Sequence, residues 1–430
     1  MMNKLKSISL GNWILIGMVL GLIAGLLLNF YVTDYYIKDI ILMDNVFYLG
    51  GTLFIKLMKM LVVPLVFFSI VVGVASISDI KKIGKIGGTT ILIYLITTAI
   101  AVTIALAIGM ALKPGVGLDM ANIASASNVT VNQTITDTVL NIIPDNPFNS
   151  LANGDMLPVI IFGLLIGIIL AKLRDEVDVV NTFFTQGNTI MMEMTSIVMK
   201  FAPIGVFCLM AKTFGSLGFD AIFPLAKYVL CVLIGLAIQA FVVYPSLLVI
   251  FTRLNPLHFF RKFFSVMFFA FSSSTSNATI PLNIEKLSEM GVSRDVSSFT
   301  IPLGATINMD GTAIMQGVAV MFAAQAYGMD LGTSALLTVI FTAVMASVGT
   351  AGVPSVGLVT LTMVFNSIGL PVAAIGVIFG IDHILDMFRT AVNVTGDAIC
   401  TMIVSFRNKA LDTEVFKGRK APKKETKLEF

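Results

Sequence analysis

Gly380-Ile-Asp-His-Ile-Leu-Asp-Met-Phe-Arg-Thr-Ala-Val-Asn-Val-Thr-Gly-Asp397 lies inside a stretch otherwise apolar enough to cross a bilayer. On a helix, Asp382, Asp386, Arg389, Asn393 and Asp397 fall on one face about 80° wide. Each charge at membrane depth costs about 2.5–3.5 kcal/mol by insertion scales. Four ionisable groups on one stripe therefore turn away from lipid, toward a protein-lined, wet cavity that binds something charged.

The rest of the chain agrees. Of its 430 residues, 57% are hydrophobic and 12% charged, and the mean hydropathy is +0.93. A soluble domain carries about 25% charged residues, so a chain this apolar is solvated by the lipid bilayer. The net charge of +3 is too small to point to nucleic acid. Cys208, Cys231 and Cys400 stand far apart in apolar runs, which gives neither a disulfide framework nor a zinc site. No His or Cys arrangement supplies the nucleophile and base of an enzyme.

Apolar segments long enough to span occupy about 11–30, 46–76, 86–111, 156–172, 186–210 and 222–251. The first follows a basic start and lacks a small-residue cleavage site, so it reads as a spanning helix instead of a signal peptide. Basic loops at 79–85, 172–174 and 253–262 contrast with 31–45, 113–150 and 212–220, which hold few Lys or Arg. The positive-inside rule then puts both termini in the cytoplasm and requires an even number of crossings. Residues 113–150 read as a long extracytoplasmic loop, and the tail from Arg407 as a polar segment that does not fold. His258 reads as solvated in its loop, and Pro64 as a kink.

After residue 251 the pattern changes. The segment 256–290 is interrupted by Ser272-Ser-Ser-Thr-Ser-Asn-Ala-Thr-Ile-Pro281, and the segment 332–366 by Ser347-Val-Gly-Thr-Ala-Gly-Val-Pro354. Each break leaves pieces of about 14 residues or fewer, too short to cross. Irregular backbone is tolerated at depth only where it is buried or lines water. Both segments read as re-entrant helical hairpins, with two kinked spanning helices as the alternative. A helix with polar residues at mid-depth follows each hairpin: Pro281 precedes Asn308 by 27 residues and Pro354 precedes Asp382 by 28. One crossing, 296–325, separates the hairpins, so they enter from opposite sides as inverted repeats.

Asn308-Met-Asp310-Gly-Thr312 has polar groups at i, i+2 and i+4, which a continuous helix would not put on one side. An unwound turn flanked by Gly304 and Gly311 fits better, and its freed carbonyls and side-chain oxygens form a hard-oxygen site suited to cations. Asp310, Asp382, Asp386 and Asp397 stand against a single Arg389, so guest cations or protons must bind. Arg389 offers a planar fork to a carboxylate, and Asp386, one turn earlier, accepts an ammonium. A ligand bridging them carries both groups, and its second carboxylate meets Asn393 and backbone N–H groups at the hairpin tips. That describes an acidic amino acid. Alternatively, Arg389 and Asp386 pair with each other in the empty protein. Tyr94, Thr97 and Thr98 share a helical turn and serve either a cation or helix packing. His383 points about 100° off the stripe.

Together, Ser-Asn-Ala-Thr-Ile-Pro, Asn-Met-Asp-Gly-Thr, Gly-Thr-Ala-Gly-Val-Pro and Asp-x-x-x-Asp-x-x-Arg-Thr-x-x-Asn-x-x-x-Asp closely resemble the dicarboxylate/amino acid:cation symporter family. That family includes excitatory amino acid transporters and prokaryotic aspartate and glutamate carriers. The resemblance covers nearly the whole chain. It implies an all-α membrane protein of eight transmembrane helices plus two re-entrant hairpins, assembled as a homotrimer in the plasma membrane. Each protomer would divide into a scaffold (1–84 and 113–251) and a body that moves like an elevator (85–112 and 252–406), followed by the cytoplasmic tail 407–430.

By motif, the resemblance puts substrate contacts on Ser276, Thr312, Val353, Gly357, Asp386, Arg389, Thr390 and Asn393. Arg389 would take the side-chain carboxylate and Asp386 the amine. It puts one Na+ on Gly304, Asn308, Asn393 and Asp397, a second on Thr306, Ser347, Val348 and Thr350, and a third on Tyr94, Thr97, Thr98, Asn308 and Asp310. Asp382 would support the stripe. Many relatives carry a further arginine where this chain has Ser274 or Met387, so coupling to H+ stays open beside Na+. A C4-dicarboxylate carrier would not need Asp386, and a neutral amino acid carrier would not need Arg389. An ion channel would spread polarity along several helices instead of concentrating it in four elements.

Overall fold

The computed structural model describes residues 10–32, 34, 36–75, 80–118, 143–154, 156–348 and 356–421. Among these the chain is almost wholly helical, and its one β pairing is an isolated bridge between Val292 and Leu411. The expected loop 113–150 falls largely outside the described residues, as do Thr350, Val353 and the end of the tail.

Helices α1 (Leu10–Tyr31), α2 (Tyr48–Ala75) and α3 (Ile80–Leu112) follow the apolar runs that predicted them. α2 continues through Pro64, and a π-helical segment, Tyr36–Phe47, leads into it where the sequence suggested a loop. α4 (Met156–Leu173) comes next. The single span expected over 186–210 is instead two helices, α5 (Asp178–Met199) and α6 (Ala202–Leu217), bent by 51°. Pro203 supplies the reason, because it has no N–H for the Met199 carbonyl and ends the preceding helix. α7 (Ile222–Ile238) passes through a π turn, Gln239–Val243, into α8 (Tyr244–Thr252).

α1 lies along α6 on a stripe of small residues. Gly17, Gly21 and Gly25 recur every four positions, and a Cβ at Gly21 would stand 2.5 Å from the Phe207 carbonyl oxygen. Such stripes let two backbones approach closely in lipid, where apolar burial alone does not drive association. Elsewhere the outer surface is apolar: Leu92, Leu165, Phe241, Phe264 and Phe268 are each more than half exposed. Among the described residues four helices are long and apolar enough to cross, or five if the bent pair is one span, and this is a multi-pass membrane protein.

The interior is built by the second half of the chain. α9 (Pro256–Ser273) and α10 (Ser276–Glu289) pack against each other around Ser274, which has left-handed backbone (φ 51°). α11 (Arg294–Ile307) and α12 (Asp310–Ala326) follow, with α12 buried along almost its whole length. α13 (Thr333–Val348) and α14 (Val356–Ser367) form a second packed pair. α15 (Ala373–Arg407) runs 35 residues through the centre, touching α9, α10, α11 and α12. The two predicted interruptions thus fall where helices stop. α7 and α8 also pack onto this core, through α3, α12 and α15.

Two further expectations are corrected. The tail from Arg407 does not stay unfolded at its start: Asp412 caps a short helix α16 (Thr413–Phe416), and Leu411, Val415 and Phe416 are buried. His258 belongs to α9 instead of a loop and is half-buried. Its Nε2 lies 2.7 Å from the Phe416 carbonyl oxygen, to which Lys262 also donates at 2.9 Å. Apolar residues in the tail find a surface on α9, which composition alone did not reveal.

Gly21→Leu should separate α1 from α6 and destabilise the protein by about 1–3 kcal/mol, as overpacking does. Thermal unfolding in detergent should drop by several degrees, while Leu20→Ala on the exposed side should leave it unchanged.

Candidate functional site

The chain between α11 and α12 is unwound over two residues, as the i, i+2, i+4 pattern required. Asn308 (φ −96°, ψ 84°) and Met309 (φ −111°, ψ 49°) leave helical geometry, and Asp310 restarts the helix. The next N–H, that of Gly311, donates to Asn393 Oδ1 on α15 at 2.7 Å. The break is therefore tied to the polar stripe.

Asp310 is fully buried and surrounded by donors. Thr98 donates to its Oδ1 at 2.6 Å, and Thr97 lies 3.4 Å from the same atom. Gln239 Nε2 and the Tyr244 hydroxyl donate to Oδ2 at 2.9 and 2.8 Å. Thr97 also reaches Asn308 Oδ1 at 3.3 Å, and the Tyr94 carbonyl accepts from both threonines. Tyr94, Thr97, Thr98, Asn308 and Asp310 are thus brought together. Tyr94 offers its carbonyl, since its hydroxyl donates to Thr300 O.

Asp397 faces the same break from α15. Asn308 Nδ2 donates to its Oδ1 at 2.9 Å, and the backbone of Gly304 lies against this carboxylate and the Tyr94 hydroxyl. No basic side chain pairs with Asp310 or Asp397 among the described residues. Their negative charge is met by hydrogen bonds alone, which orient a carboxylate without cancelling it.

Arg389, in contrast, is paired through both of its terminal nitrogens. Asp382 takes its Nη1 at 2.5 Å and its Nη2 at 3.2 Å, and Asp386 Oδ1 shares Nη2 at 2.7 Å. All three side chains are buried, Asp386 slightly less than the others. The alternative in which Arg389 and Asp386 pair with each other is the arrangement observed. Asp382 does more than support the stripe: it is the two-pronged partner of the arginine. Nε of Arg389 is buried without a partner.

Thr312 and Gly357 join this group. A Cβ at Gly357 would stand 2.8 Å from Thr312 Cγ2 and 3.6 Å from Arg389 Nη2. Thr390 is buried, with its hydroxyl returned to the Asp386 carbonyl. Ser276 opens α10, buried near the tip of the first pair. Ser347 and Val348 end α13, and Val348 packs with Tyr94, Leu303 and Ile307. Thr306 sits on α11 with its hydroxyl on the Leu303 carbonyl. This last cluster is incomplete, because Thr350 lies outside the described residues. Sequence reasoning missed Gln239 and Tyr244, although a lone amide in the apolar run 222–251 was a visible signal.

A family model described as sodium:dicarboxylate symporter matches residues 10–406. The chain is 35% identical over 412 residues to a proton/sodium-glutamate symport protein of Geobacillus stearothermophilus, covering 93% of this chain and 95% of that one. It is 34% identical to a proton/glutamate-aspartate symporter of Escherichia coli, covering 92% of each. It is also 34% identical to neutral amino acid transporter B(0) of Oryctolagus cuniculus, covering 81% and 71%.

Removing one partner from a buried ion pair leaves the other charge uncompensated, at a cost of about 3–5 kcal/mol. Asp382→Asn should therefore lower the thermal unfolding temperature more than Asp386→Asn, because Asp382 carries two of the three bonds to Arg389. Equal shifts would contradict this division.

Proposed function

The chain belongs to the sodium:dicarboxylate symporter family, and from that premise we propose that it takes up L-aspartate or L-glutamate together with several cations, Na+ foremost. The family is one of transporters, and the chain is not an enzyme. Coupling ions among its relatives include both sodium and protons, by their names. Those relatives also include a neutral amino acid carrier, so the substrate class rests on the site itself.

The observation that carries the reading is Nη2 of Arg389, shared between Asp382 and Asp386. Asp382 is the permanent partner, and Asp386 is the exchangeable one. An incoming carboxylate takes the place of Asp386 on the guanidinium, and the ammonium of the same molecule then occupies Asp386. With the α-carboxylate held elsewhere, a neutral amino acid leaves Arg389 unmet, and a C4-dicarboxylate leaves Asp386 unmet. An amino acid with a second carboxylate satisfies both, and its α-carboxylate is left for Asn393, Thr390 and N–H groups at the ends of α10 and α14. Ser276, Thr312, Val353 and Gly357 complete the substrate set.

Asp310 and Asp397 then need positive charge from outside. One Na+ is assigned to Tyr94, Thr97, Thr98, Asn308 and Asp310, and another to Gly304, Asn308, Asn393 and Asp397. A third falls on Thr306, Ser347, Val348 and Thr350. Bound cations make room for an anionic substrate in a core that already holds excess negative charge, and this links the two fluxes.

The two helix pairs are read as re-entrant hairpins, and the whole as eight crossings in a homotrimer in the cell membrane with cytoplasmic termini. The moving body of an elevator would hold α3, both hairpins, α11, α12 and α15. The sequence assigned 113–251 to the scaffold. Because Gln239 and Tyr244 donate to Asp310, we place residues 222–252 with the moving body instead.

Purified protein in liposomes should accumulate labelled L-aspartate or L-glutamate under an inward sodium gradient. Uptake driven by a pH gradient alone would favour proton coupling. Arg389→Cys should lose acidic substrates, and unchanged aspartate affinity would refute its role.

A further inference from the structure

One amide, Gln239, interrupts the apolar run over 222–252, and the helix is irregular where it occurs. α7 gives way to the π turn Gln239–Val243, and the Tyr244 N–H bonds the Gln239 carbonyl, five residues back. Pro245 accounts for the irregularity: it has no N–H for the Phe241 carbonyl, and its ring would clash there, so the turn before it widens. In a regular α-helix, residues five apart point about 140° apart. The wider turn sets Gln239 and Tyr244 on one face.

Both side chains end on the same atom, Oδ2 of Asp310, at 2.9 and 2.8 Å. The other oxygen, Oδ1, is left toward Thr97 and Thr98. The carboxylate is thus divided, with one oxygen held from α7–α8 and the other presented to the Tyr94–Asn308 side.

Packing does not explain the pair. Gln239 is fully buried and its Oε1 has no hydrogen-bond partner, so it carries a desolvation penalty that leucine would avoid. Tyr244 is also fully buried, and room for it is made at Gly396. A Cβ there would overlap the Tyr244 hydroxyl and stand 2.8 Å from Asn308 Nδ2.

We infer that Gln239 and Tyr244 are positioning residues of a cation site, clamping Oδ2 of Asp310 so that Oδ1 meets a monovalent cation together with Thr97, Thr98 and Asn308. This rests on the reading of Asp310 as a cation ligand. A ligand held beforehand need not be ordered when the ion arrives.

The test is uptake of labelled L-aspartate and L-glutamate into proteoliposomes as a function of sodium concentration, with choline as replacement. Wild type is compared with Tyr244→Phe and Gln239→Leu. Tyr244→Phe removes one hydroxyl and keeps the ring, so folding is preserved even if Gln239→Leu is less tolerated. Each variant should raise the half-saturating sodium concentration about tenfold, the order of one hydrogen bond to a charged group. Uptake at saturating sodium should stay near wild type. A packing role would lower maximal uptake and leave half-saturation where it was. Unchanged half-saturating sodium in Tyr244→Phe overturns the inference whatever happens to the maximal rate. Wild-type uptake indifferent to sodium overturns the proposed function, and this inference with it.

Discussion

A buried carboxylate held by hydrogen-bond donors, with no basic side chain beside it among the described residues, is the condition on which this molecule depends. Asp310 and Asp397 are both in that state: the first is held by Thr98, Gln239 and Tyr244, the second by Asn308. The one buried guanidinium among the described residues, Arg389, is already committed to Asp382 and Asp386. Four buried carboxylates against one buried arginine leave a surplus of negative charge in the core. A soluble protein would relieve that surplus by exposing the groups. A protein whose outer surface is rich in leucine, isoleucine and phenylalanine has no such route, and in the proposed function guest cations resolve it.

Much of the architecture serves to bring oxygen atoms to that place. The break at Asn308-Met309 interrupts the ladder between α11 and α12 and hands the Gly311 N–H to Asn393. Irregular backbone survives at depth because α3, α7, α8 and α15 close around it. Small residues are found where chains must approach, as with Gly304 against Asp397 and Gly357 against Thr312. The π turn in 239–243 belongs with these features. It is a local departure from regular helix that turns side chains inward, where a regular helix would point one of them aside.

The sequence made the polar elements legible because charge in an apolar run is costly and therefore informative. The stripe from Asp382 to Asp397, the unwound turn at 308–309 and the ends of α9 and α13 were all visible as polar or Gly/Ser interruptions. Partner choice was harder to read. Spacing put Asp386 beside Arg389, but only the folded chain gave Asp382 the two-pronged grip. Gln239 and Tyr244 were passed over because they sit far from any motif and act through a helical defect that depends on Pro245. The break at 200–201 is local, set by Pro203, and was passed over because the apolar run continues through it. The docking of Phe416 on His258 escaped because it depends on packing between segments distant in sequence, which hydrophobic periodicity does not encode.

The most direct test of the account is the number of charges that accompany each substrate molecule. In liposomes holding fixed sodium and substrate gradients, the membrane potential at which net labelled aspartate flux reverses gives the coupling ratio. The account predicts a reversal potential that moves with the sodium gradient more steeply than with the aspartate gradient, as co-transport of more than one Na+ per substrate requires. A reversal potential unaffected by sodium would mean that Asp310 and Asp397 need no guest sodium, and would contradict it.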